Sequence, residues 1–99
     1  MQTGFSIADC TEEQRGRYAE RLARWSEMTW LQLRAADRHG LGYEHIRAIL
    51  VPRPPHVPED ATLLAFRFSG HLPVIGYRTD RVFHAVWFDN DNRGRIYRH

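Results

Sequence analysis

The side chains best suited to chemistry on a phosphodiester lie in the last third of this 99-residue chain. Alternation along the strands expected there puts Arg67, Arg78, His84, Arg95, Tyr97 and His99 on one face, where neighbouring antiparallel strands run about 5 Å apart. Together they form the equipment for cleaving RNA without a metal. A base takes the proton of a ribose 2′-hydroxyl, an acid serves the leaving oxygen, and guanidinium groups hold the phosphorane charge during in-line transesterification. Histidine, with an unperturbed pKa of about 6.5, exchanges protons at neutral pH. Arginine grips phosphate through two parallel donors. Each residue also has a plainer reading: Arg67 and Arg78 as solvated strand residues, His84 as a hydrogen-bonded interior histidine, and Tyr97 as an ordinary β-former at an edge. Convergence on one face is what separates the two readings.

The elements that would position these groups follow from spacing and punctuation. Gly4 to Ala8 alternates over a few positions and reads as a short first strand. Thr11 with Gln14 fits a capping box and starts a helix that runs to about Arg24, with Tyr18, Leu22 and Trp25 on one face. Ser26 can cap a second helix that ends near Gly40, so the two make a hairpin. Tyr43, Ile46, Ile49 and Leu50 keep helical spacing, which predicts a further short helix. Val51 to Asp60 carries four prolines and reads as a stiff connector.

From Ala61 the period changes to two. Four strands are expected at Thr62 to Ser69, Leu72 to Thr79, Arg81 to Asp89 and Gly94 to Arg98. Leu64, Phe66, Phe68, Ile75, Tyr77, Phe83, Trp87 and Ile96 should pack against the helices, and a bulge at Gly76 would flip part of that assignment. The expected fold class is α+β: a short N-terminal strand, a helical hairpin and a four-stranded antiparallel meander packed on it. Residues 1–99 form one domain, because a chain of this length buries a single core.

Composition narrows the function classes. With 42% hydrophobic and 26% charged residues and a mean hydropathy of −0.56, the chain has neither the composition of a disordered segment nor an apolar run long enough to span a bilayer. No secretory signal is evident at the start, and the single cysteine, Cys10, excludes an internal disulfide. A cytoplasmic protein without membrane contact is expected. All fourteen basic residues are arginine, and the net charge is +2. No two histidines sit at the helical i,i+4 spacing of a zinc site, and the Asp89 to Asn92 turn lacks the glycine and glutamate of a calcium loop, so neither metal nor cofactor is expected.

The order strand, helix hairpin, meander resembles the RelE/ParE toxin superfamily of type II toxin–antitoxin systems. The likeness rests on Ala65-Phe-Arg67-Phe68, Pro73-Val-Ile-Gly-Tyr77-Arg78, Val82-Phe-His-Ala-Val-Trp87 and Arg93-Gly-Arg95-Ile-Tyr97. It implies a RelE-like mRNA interferase: an endoribonuclease that arrests growth, acts on mRNA on the ribosome and is neutralised by a cognate antitoxin in a hetero-oligomer. It further implies Arg67 and Arg78 on phosphate, Tyr97 as base or stacking platform and His84 or His99 in acid–base roles. Arg93, Arg95 and Arg98 would then extend the nucleic-acid contact. A rival from another class is a non-catalytic protein- or nucleic-acid-binding module of a phage or mobile-element system. In a third reading, a structural partner in such a system uses exposed tryptophans as interface anchors.

Overall fold

The computed structural model describes residues 6–37 and 40–89. Two helices, α1 (Glu12–Ser26) and α2 (Trp30–Ala35), precede four strands, β1 (Tyr43–Ile46), β2 (Leu63–Ser69), β3 (Leu72–Thr79) and β4 (Val82–Phe88). The strands form one antiparallel sheet in the order β1-β2-β3-β4. The fold is therefore α+β, with the helices packed on a four-stranded meander, as expected.

The capping box opens α1 as its sequence implies. The Thr11 hydroxyl accepts from the Gln14 amide at 3.1 Å, and the Thr11 amide donates to Gln14 Oε1 at 2.9 Å. A second threonine–glutamine box, Thr29 with Gln32, opens α2 at the same two distances. Threonine there displaces the expected Ser26 cap, and Ser26 instead closes α1, its hydroxyl donating to the Ala23 carbonyl at 2.7 Å.

Two expected elements are replaced. Ile7–Asp9 forms a single 3-10 turn, not a strand, because Asp9 Oδ2 accepts from both the amide and the hydroxyl of Ser6 and curls the backbone. Tyr43–Ile46 is a strand, not a helix. Tyr43 pairs with Phe66 and Ile46 with Leu63 along the open edge of β2. A short apolar run carries no decisive period, and an unpaired sheet edge offers its backbone a ladder. The expected strand Gly94 to Arg98 lies outside the described residues.

The sheet buries both of its faces. Toward the helices, Leu64, Phe66, Phe68, Val74 and Phe88 join Leu33 and Cys10, with Tyr18, Trp25 and Trp30 packed against them. On the other face Leu63, Ala65, Ile75, Val86 and Trp87 join Ile46 and are covered from the connector by Val57, Ile49 and Val51. The connector holds its shape in part through Arg53, whose guanidinium donates to the Pro58 carbonyl at 2.7 Å. Ile75, Tyr77 and Trp87 thus lie across the sheet from Phe66, not beside it.

Candidate functional site

Among the described residues, the groups of the expected groove do not share one face. Arg67 alternates with Phe66 and Phe68, so it belongs to the connector face, at the β2–β3 hairpin, where its guanidinium meets His71 Nδ1. Arg78 pairs with Phe83 and lies on the helix face. His84 is on the connector face, stacked on Tyr77 with ring centroids 4.6 Å apart and hydrogen-bonded to the Thr79 hydroxyl. Arg67 pairs with Pro73 and His84 with Tyr77. Four residues of strand put these two groups about 13 Å apart along that face. Buried Ile75 and Trp87 lie between them. Tyr97, His99, Arg93, Arg95 and Arg98 fall outside the described residues. Among the described residues, no three His, Cys, Asp or Glu side chains are grouped to hold a metal ion.

The structure instead opens a cleft of about 760 Å³ between the helices and the sheet. Its interior is apolar, with Trp25, Trp30, Leu33, Phe66, Phe83 and Met28 among its walls. The rings meet at steep angles: Phe66 lies 5.0 Å from Phe83, edge to face at 72°, and 5.0 Å from Trp25, tilted at 56°, between centroids. Such contacts fix a concave apolar surface and leave no row of parallel open ring faces. Tyr18 contributes its ring from α1, set edge-on against Phe88 at 4.9 Å, and burial pushes its phenol pKa up.

One end of the cleft is cationic and rigid. Trp30, the first residue of α2, donates its indole N–H to the Arg81 carbonyl at 3.2 Å. Over its ring lies the Arg78 guanidinium, the central carbon 4.4 Å from the centroid. Arg78 Nε donates to the carbonyl of Asp80, a turn residue at φ +50°. The left-handed conformation is one that aspartate tolerates better than most residues, and it closes the β3–β4 hairpin against α2. Trp25 is anchored in the same way, its indole N–H donating to the Leu41 carbonyl at 3.1 Å. Among the described residues, Arg78 and Arg81 are the only charged side chains in the lining.

The sequence matches no protein-family model, no curated protein and no solved structure. The geometry is left to speak for the site. Leu22, which lines the cleft, is 49% exposed. Apolar surface therefore continues outward from the cleft. Among the described residues, Arg78 is the one expected site residue that the cleft includes, and reasoning from sequence missed Arg81 and Trp30 as its neighbours. A usable signal was present: Thr29 to Gln32 repeats the Thr11 to Gln14 box and places Trp30 at the first turn of a helix. No helix among the described residues is long and apolar enough to cross a membrane.

Proposed function

We propose that this protein is a binding module whose helix–sheet cleft receives an apolar segment of a partner protein in the cytoplasm. The observation that carries the reading is the cleft itself, an aromatic-lined concavity of about 760 Å³ with two arginines and no carboxylate among the described residues of its lining. Its volume lies within the range of built ligand sites, roughly 300–1,000 Å³. Burying one leucine-sized anchor contributes about 1.5–3 kcal/mol toward offsetting the cost of association. A nucleic acid fits less well. Single strands are held on flat, open ring faces, whereas here the face of Trp30 carries Arg78 and Phe66 meets Phe83 edge to face and Trp25 at a tilt.

The test is selection of a displayed random peptide library on the wild-type protein and on Ser26→Trp. Ser26 is an exposed residue of the lining, and an indole there fills the cleft without disturbing the core. Peptides with apolar anchors that bind the wild type and lose Ser26→Trp support the reading. Tighter retention of single-stranded RNA than of any selected peptide overturns it, as does a concentration-dependent dimer that Ser26→Trp abolishes.

A RelE-like endoribonuclease, neutralised by an antitoxin, is the second reading. What favours it is the arrangement of helices on an antiparallel meander, together with the RelE/ParE-like segments around Arg67, Arg78 and His84. His84 and Tyr77, stacked on the connector face, are the described groups that would serve proton transfer there. Growth arrest on induction, with mRNA cut on programmed ribosomes, supports this reading. Normal growth with abundant folded protein removes it.

A further inference from the structure

The segment seated in the cleft carries, we infer, an acidic side chain beside its apolar anchors, and Arg78 is the residue that reads it. This inference rests on the binding-module reading and adds the chemistry of the partner. Arg78 is fixed from two directions before any partner arrives. Its central guanidinium carbon lies over the Trp30 ring, 4.4 Å from the centroid, and its Nε is occupied by the Asp80 carbonyl. The pedestal is fixed too, since the Trp30 indole N–H is bonded to the Arg81 carbonyl at 3.2 Å. Both terminal amino groups of Arg78 have no partner among the described residues. They form one edge of a planar fork whose geometry matches the two oxygens of a carboxylate.

The surroundings favour the same occupant. Among the described residues Arg81 is the only charged companion of Arg78 in the lining, and no carboxylate there forms an ion pair with it. Holding a guanidinium in its bound orientation removes the side-chain entropy that a free arginine loses on binding. Stacking on an indole leaves the ion's edge free while shielding one face from water, which strengthens a charge-assisted bond there. The aromatic wall then takes the apolar anchors and the fork takes the acid a short distance away.

The library selection tests this when it is repeated on Arg78→Gln and Arg78→Lys, both changes at an exposed position. The expected result is that wild-type winners share Asp or Glu at a fixed offset from their apolar residues. Winners on Arg78→Gln should keep the apolar residues and lose the acidic one. The best wild-type peptide should bind Arg78→Gln about 10- to 100-fold more weakly, the range of a hydrogen bond to a charged group. Arg78→Lys should recover only a small part of that loss, because a point charge replaces the fork. Apolar winners with no acidic preference overturn the inference and leave the binding module standing, and full recovery by Arg78→Lys overturns the fork. If no peptide distinguishes wild type from Ser26→Trp, both fail.

Discussion

The Arg78 guanidinium lies over the Trp30 indole, 4.4 Å from its centroid, and this contact ties the β3–β4 hairpin to α2 across 48 positions of sequence. Trp30 also donates to the Arg81 carbonyl, so its loss removes more than that of its partner. An exposed cation–π contact contributes about 0.5–1 kcal/mol and a hydrogen bond about 1 kcal/mol. Trp30→Ala should therefore cost about 2 kcal/mol, including half-buried packing, against about 0.5–1 kcal/mol for Arg78→Ala. Urea denaturation of the two variants checks the order. A larger loss for Arg78→Ala would show that the arginine, not the tryptophan, holds the hairpin.

Gly76 and Gly16 should respond to alanine with opposite signs. A Cβ at Gly76 would stand 1.9 Å from the His84 carbonyl oxygen, whereas one at Gly16 meets nothing within 4 Å. The close approach exists because β4 bulges: Ile75 pairs with Trp87 and Gly76 with Ala85, leaving Val86 as the extra residue. Gly76→Ala must push two backbones apart and should cost about 3 kcal/mol or more, with loss of folded protein as the extreme. Gly16→Ala lies inside α1 and should stabilise by about 0.5–1 kcal/mol. Thermal melts of both proteins decide the matter.

These same backbone details set how far the sequence could be read. The α+β class, the threonine–glutamine cap of α1 and the spans of β2 and β3 all follow from period and punctuation. The faces did not, because each strand's alternation is legible while its register against the next strand is not. A regular two-residue hairpin through Gly70 and His71 would pair Phe66 with Ile75. Instead Ser69 pairs with Leu72 and Arg67 with Pro73, so Phe68 is an extra residue and every side chain of β3 changes face relative to β2. The bulge at Val86 then separates Trp87 from Phe83. The first of these single-residue shifts is by itself enough to send Arg67 and Arg78 to opposite faces, and it leaves no mark in composition or periodicity. The second falls opposite Gly76, where a glycine inside a strand does signal a bulge. The site itself was legible only in part: Arg78 drew notice as an arginine on a strand, but nothing local announces that Trp30 lies beneath it.

Because of those shifts, Trp87 and Phe66 sit in separate clusters, and their substitutions should add. Trp87 is fully buried, so Trp87→Ala should cost about 3–5 kcal/mol. Its indole N–H is buried with no partner among the described residues, a penalty that phenylalanine does not carry. Trp87→Phe should consequently cost less than about 1.5 kcal/mol, the cavity being offset by the removed donor. Combined with Phe66→Leu, it should give the sum of the single effects within about 0.5 kcal/mol. A coupling energy well above that, measured by denaturant unfolding of the four proteins of the cycle, would place the two rings in contact.

Alkaline pH should loosen the helix face first. Burial raises the phenol of Tyr18 above its ordinary 10.0. It also raises the thiol of Cys10 above 9.0, against the opposing pull of the Arg15 guanidinium. Both are acids that the folded state keeps protonated longer than the unfolded chain does. Their contribution to stability is thus fully present below the unfolded values and is lost as pH rises through the folded ones. Melting temperature should fall from pH 9 upward, with the steeper part above pH 10 where tyrosine ionises. Tyr18→Phe should flatten the part above pH 10, and Cys10→Ala the part between 9 and 10. Tyr18 also lines the cleft. Its phenolate would add a negative charge to the cleft wall, so binding of an acidic segment should weaken over the same upper range in the wild type but not in Tyr18→Phe. Titration of a selected acidic peptide at pH 8 and above pH 10, with circular dichroism confirming that both proteins remain folded, separates loss of affinity from loss of structure.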